Sequence, residues 1–352
     1  MNLDKSAEIT VRDVLKAKAG ERALIITNPE GEVYHISLAI YRALEKVGAL
    51  PVIAVQPVKT QFDYADESVI AAIRTEPDII LSISHNKLGK DKAAMENPYI
   101  LDGREINNTF HYLMETKKTR SFWTPGITCD MFVRTVPIDY EELKSNCTGL
   151  KELLDRAVSM HITAPGGTDL HVGLRGRKAF EDDGIFSVPG AGGNIPAGEV
   201  FISPELGTSE GIIVFDGSIS VKSGDIVIKE PIRTKVEKGF CVSFNSDESA
   251  DAALVEATVL QGEKNCSEEY ERNARNLGEV GIGLNPAAEI RGNMLEDEKA
   301  FRTCHIAIGS NYDEDAPALI HLDGLIRMPT IELFFEDGSS RIILNQGDIA
   351  LP

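Results

Sequence analysis

The residues best suited to chemistry gather in the stretch "TCHIAIGSNYDEDAPALIHLDGLI", Thr303 to Ile326. It carries His305, Tyr312, His321 and Asp323, two of the chain's seven histidines among them. His321 and Asp323 form an H-x-D pair. In a strand, residues two apart point to the same face, so a ring nitrogen and a carboxylate oxygen would sit side by side while Ile320 and Leu322 turn towards a core. That pairing suits Zn, Co, Mn or Fe. Taken alone, the pair also describes a polar strand face or a hydrogen-bonded His–Asp couple. His305 would face away from its inward-packing neighbours Cys304 and Ile306. Tyr312 lies in the polar loop joining the two histidine-bearing runs.

Two glutamates stand in matching settings. Glu199 in "PAGEVFISP" and Glu279 in "NLGEVGIGLN" both follow a glycine and precede a valine where a strand should begin. A carboxylate buried there costs free energy unless it meets water, a cation or a donor. Each of these residues singly has an ordinary structural explanation, as a rim carboxylate, a satisfied core histidine or a surface tyrosine. Together, two Glu, two His, one Asp and one Tyr at strand edges of one domain are what two neighbouring divalent ions need, with one carboxylate bridging. Such a pair of ions holds hydroxide at neutral pH and polarises a carbonyl, the chemistry of amide hydrolysis. The residues do not single out a general base. Asp169 in "GGTDLH" is a candidate, and capping a turn is the plainer role for it.

These side chains must be placed by the second part of an α/β chain. Residues 1–147 read as an N-terminal α/β domain with a parallel sheet. "RALIIT", the amphipathic "HISLAIYRALEKVG" with Gly48 as its stop, and "LPVIAVQ" form a strand-helix-strand unit. "DIILSIS" is a further strand, and "TGLKELLDRAVSM" is expected to be helical to about Met160. Residues 148–352 read as an α+β, largely antiparallel metal-binding domain. There "GIIVFDGSIS" is expected to fold as a hairpin about Asp216-Gly217, and "TIELFFEDGSSRIILNQG" as one about Asp337-Gly338. "GAGGN" leads into a strand and not into a helix N-terminus, which argues against a phosphate loop.

The formal net charge of −19 argues against a nucleic-acid or anionic-membrane partner and is compatible with cations. No apolar run approaches a membrane span, and "MNLDKSAEIT" lacks a signal-peptide core. The five cysteines are scattered without a CxxC pair, as reduced thiols would be. A cytoplasmic location is therefore expected.

The words "GGTDLHVGLRGR", "NIPAGEVFISP", "GIIVFDG", "LGEVGIGLNP", "CHIAIGSNY" and "HLDGLI" follow one another in the order found in the aminopeptidase T / aminopeptidase S family. Over roughly Asp139 to Asp323 the chain resembles these metal-dependent leucyl-type aminopeptidases. The resemblance implies a two-domain homodimer with an enclosed site, two divalent ions of the zinc, cobalt or manganese kind, and short peptides as substrates. It also matches residues. Glu199 and Glu279 correspond to the family's two glutamates, Glu279 to the one that bridges the ions. His305 and Tyr312 correspond to a histidine and the tyrosine seven positions on, and His321 and Asp323 to the final H-x-D. One departure stands out, since only eight residues separate Tyr312 from His321 where the peptidases carry a longer insertion.

A related branch, the iron-dependent dihydroxypyridine dioxygenases, is similar in chain length. Its site has two histidines and one carboxylate, with a histidine where this chain has Glu279. The expectation weighted first is thus a two-metal aminopeptidase. The alternatives are an Fe(II) ring-cleaving dioxygenase using His305, His321 and Asp323, and a non-catalytic metal-binding protein.

Overall fold

The computed structural model describes residues 2–351 apart from Gln61 and Asn265. The described chain divides into two compact units, residues 1–141 with 182–197, and residues 142–181 with 198–352.

The first unit is built on a five-stranded parallel sheet. Its strands run in the order Gly192–Asn194, Arg120–Trp123, Ile79–Ile83, Arg22–Thr27, Leu50–Val55. Ile79–Ile83 is buried along its whole length, as a continuous apolar run in mid-sheet should be. The helix Glu32–Lys46 returns the chain between the first two strands, and Gly48 follows its end with φ of 82°, a left-handed position that glycine adopts without strain. The expected cut at 147/148 falls inside the helix Tyr140–Leu154. The unit is also discontinuous in sequence, because Gly192–Asn194 returns to pair with Ser121–Trp123. Nothing local in "AGGNIP" announces that long-range pairing.

The second unit holds a seven-stranded and an eight-stranded sheet among the described residues. The strands Glu199–Ile202, Leu277–Gly283, Thr303–Gly309 and His321–Arg327 lie side by side, each antiparallel to the next. One face of this set is the apolar core, with Val200, Ile202, Val280, Ile282, Cys304, Ile306, Ile308, Leu322 and Ile326 buried. The other face carries the polar residues singled out above.

Two expectations need correcting. The helix with which the second unit begins ends at Leu154, and Ala157–Thr163 is a strand. Its outward and inward residues alternate, Met160 and Ile162 being fully buried, so the sheet overrides the helical reading of "AVSM". Asp216-Gly217 is not a hairpin. Glu210–Phe215 belongs to the eight-stranded sheet and Ser218–Val221 to the seven-stranded one. The backbone N–H groups of Asp216 and Gly217 both donate to the Leu325 carbonyl, each at 3.1 Å. A Cβ on Gly217 would lie 2.7 Å from that of Leu325, so the pair forms a corner where the chain changes sheets. The hairpin about Asp337-Gly338 forms as expected between Thr330–Phe335 and Ser340–Asn345. Among the described residues no helix is long and apolar enough to cross a membrane.

Candidate metal centre

The register of the four central strands decides which side chains meet. Residues opposite one another on antiparallel strands share a face. Glu199 stands opposite Gly283, His305 opposite Gly281, and His321 opposite Gly309. Ala307 has Glu279 on one side and Asp323 on the other. Every large polar side chain therefore faces a glycine or alanine on at least one adjoining strand, His305 having Leu325 on its other side. The small residues make room for carboxylates and imidazoles to lean over the sheet and converge.

They do converge. His305 is 1% exposed, with its Nε2 3.3 Å from Glu279 Oε1 and 3.5 Å from Glu199 Oε2. His321 Nε2 lies 3.1 Å from Glu279 Oε2 and 3.3 Å from Asp323 Oδ1. Glu279 thus holds one oxygen towards each histidine. Two ligand-capable groups result, Glu199–Glu279–His305 and Glu279–His321–Asp323, which share Glu279.

The structure brings Tyr312 to the rim. Its ring is half exposed and meets the His321 ring edge-on, with centroids 5.5 Å apart. The loop that carries it is fastened by Arg177, whose Nη1 donates to Asp315 at 2.8 Å. Asp169 does not join this cluster. It lies exposed on the eight-stranded sheet, 2.7 Å from His161 Nε2.

Sequence reasoning missed Lys299 and Glu298. Lys299 is fully buried, and its ammonium lies 2.9 Å from Glu199 Oε1 and against Glu298. In "EDEKAF" it looks like one more charge on a solvated helix end, and only the fold turns it inwards.

The electrostatics are those of a negatively charged pocket. Burial disfavours the His305 imidazolium, but Glu279, Glu199 and Asp323 outweigh it and push the group up to about 9. His321 is likewise raised, burial being overcome by Asp323 and Glu279. Burial also works against the Asp323 anion, yet His321 holds it down to about 2. Glu199 is raised, chiefly by burial, against the pull of Lys299. The Tyr312 hydroxyl is raised by burial and by the surrounding carboxylates, so it stays protonated.

The donor set fits a divalent cation. Glu199 Oε2, His321 Nε2 and Asp323 Oδ1 are buried and have no directed hydrogen bond among the described residues. Unpaired buried polar atoms call for an explanation such as an ion. Moreover, His321 Nδ1 donates to the Ser310 carbonyl at 2.8 Å. With Nδ1 so engaged, Nε2 points at two carboxylates, as a donor while the ring is protonated and as a ligand once a cation displaces that proton.

Comparison with known proteins adds a family. The model for the NicX family, 2,5-dihydroxypyridine 5,6-dioxygenase, matches residues 127–311, more than half of the chain. The chain belongs to the NicX family. A 2,5-dihydroxypyridine 5,6-dioxygenase of Pseudomonas putida is 26% identical over 174 residues, 48% of this chain. That match spans only 45% of the relative's length. The solved structure of 2,5-dihydroxypyridine dioxygenase from Pseudomonas putida KT2440 superposes with a TM-score of 0.74 at 17% identity, covering 99% of this chain and 97% of the other. Wild-type AmpT from Thermus thermophilus superposes with a TM-score of 0.69 at 19% identity, covering 99% of both chains. At those identities both establish the shared two-domain fold. The resemblance to the aminopeptidases therefore holds at the level of fold, and the family is the NicX family, the branch ranked second from the sequence words. The chain thus combines NicX family membership with two clusters of residues that could hold a metal ion.

Proposed function

We propose that the chain is an iron-dependent ring-cleaving dioxygenase acting on a small hydroxylated aromatic ring of the dihydroxypyridine kind. Family membership supports the class. The observation that carries it to this chain's own residues is a run of aromatic rings ending at the candidate centre. Phe180 stacks on Phe201 at 5.3 Å, Phe201 meets Tyr312 at 4.7 Å, and Tyr312 meets His321 edge-on. A flat ring is well recognised by such a wall, because aromatic pairs prefer offset or edge-to-face packing.

Glu279, His305, His321 and Asp323 would hold the metal, offering the mixed histidine and carboxylate donors that ferrous iron takes. Iron held there would supply the redox chemistry with dioxygen that opens a hydroxylated ring. The chain's residues would do the rest. Ser310 fixes the tautomer of His321. Lys299 holds Glu199 in place and offsets part of the cost of its burial. The protonated Tyr312 hydroxyl can donate to an oxygen on the ring.

A second reading rests on one specific observation. Glu279 is shared by two ligand groups, as in a two-metal hydrolase with a bridging carboxylate. With zinc, cobalt or manganese, Glu199, Glu279, His305, Tyr312, His321 and Asp323 would then serve an aminopeptidase of short peptides.

The deciding experiment is metal analysis of anaerobically purified protein, followed by two assays on the same sample. Oxygen consumption with 2,5-dihydroxypyridine and about one iron per chain supports the dioxygenase. Release of amino acids from leucyl peptides with about two zinc, cobalt or manganese ions overturns it in favour of the peptidase.

A further inference from the structure

The eight-stranded sheet carries a second group of ligand-type residues that the proposed chemistry does not use. His161 on the strand Ala157–Thr163 and His171 on the strand Asp169–Gly173 are directly opposite one another. Their rings are stacked face to face, with centroids 4.0 Å apart and planes 7° from parallel. Asp169, two residues before His171 on the same face, has its Oδ1 2.7 Å from His161 Nε2. The register extends the row, since Glu332 pairs with His161 on one side and Glu210 pairs with His171 on the other. Met160, Ile162, Leu170 and Val172 alternate with these residues and are buried, so the His–His–Asp set lies on the outer face.

We infer that His161, Asp169 and His171 form a second, surface metal site for a zinc-like divalent cation. Three arguments carry it. One ligand atom from each residue lies within 4.8 Å of the others, close enough for small side-chain rotations to close on an ion with bonds of about 2.0–2.1 Å. Two nitrogens and a carboxylate oxygen are donors that zinc, nickel or copper prefer over magnesium or calcium. The direct strand pairing of His161 with His171 also holds the two imidazoles side by side, which lowers the ordering cost of binding, and one ring must turn out of the stack for both lone pairs to meet one ion. Glu332 or Glu210 is placed to offer a fourth donor, and water completes the shell otherwise. The ion would clip together two central strands of the sheet, so its binding adds to stability by mass action. This site lies on a different sheet from the Glu279 cluster and stands whichever reaction that cluster performs.

The test is zinc titration of the full chain, by calorimetry and by melting temperature, on protein whose buried centre is already loaded. Wild type should take up one ion per chain more than the His171→Ala variant and gain melting temperature with added zinc. His161→Gln should behave as His171→Ala, and Asp169→Asn should bind more weakly by at least about ten-fold. All three should keep the ion content of the buried centre, which shows that they fold. Equal zinc uptake in wild type and His171→Ala would overturn the site. So would a zinc-dependent rise in melting temperature that survives in both histidine variants.

Discussion

The His305 imidazole lies over the backbone of Gly281, its partner on the adjoining strand, and a Cβ at position 281 would collide with the ring. Gly281→Ala should therefore drive His305 from between Glu199 and Glu279. Overpacking of this kind costs about 1–3 kcal/mol. Metal affinity should drop by at least ten-fold, roughly what a lost supporting contact costs. Metal content after dialysis and a urea titration check both parts. An alanine variant that binds metal as wild type does would show that the ring can lie elsewhere.

Glu279 answers both histidines, at 3.3 and 3.1 Å. Glu279→Gln keeps the shape and removes the charge. Retained metal should fall by on the order of 100-fold, and turnover with it, while circular dichroism stays native. His321 should also lose part of its upward shift, which the imidazole proton resonances would report across a pH series.

The pH dependence of the metal-free protein follows from the same charges. His305 is held up to about 9 against about 6.5 in an unfolded chain. The native state binds the extra proton, so this contribution is complete below about pH 6.5 and disappears as pH rises through about 9. His321 is raised and acts in the same direction, as does buried Glu199. Melting temperature in the presence of a chelator should decline from pH 6.5 to pH 9. With metal bound, the ligand protons are displaced and the decline should vanish or reverse. Calorimetric melts with and without metal read this directly.

Lys299 is buried against Glu199 at 2.9 Å. Lys299→Met leaves a buried carboxylate without its cation, a change that costs about 3–5 kcal/mol. Glu199→Gln in the same chain should restore part of that loss, since the uncompensated charge is gone. Denaturant midpoints of the two single variants and the double variant measure the coupling.

The strand words of the second unit were legible because each alternates cleanly. "TCHIAIG" and "HLDGLI" place Cys304, Ile306 and Leu322 in the core and His305, His321 and Asp323 on the opposite face. What spacing cannot convey is register. That Glu279 and Asp323 flank the same Ala307 depends on three strands from three parts of the chain. Lys299 was invisible for a related reason, as its burial comes from tertiary packing around an acidic segment that reads as solvated. The sheet-changing corner at Asp216-Gly217 misled because Asp-Gly serves a tight hairpin and a crossing equally well, and only the Leu325 carbonyl that both N–H groups share distinguishes them. The aromatic run from Phe180 to Tyr312 joins residues 132 positions apart, 312 minus 180, so no local pattern could reveal it.

The strand Gly192–Asn194 completes the parallel sheet of the first unit only after the chain has left that unit and come back. During synthesis the edge of Arg120–Trp123 must wait some seventy residues for its neighbour, 192 minus 123 being 69. No single cut in the polypeptide separates the two units cleanly. A gene fragment ending at residue 141 would encode a sheet whose Arg120–Trp123 edge lacks its partner.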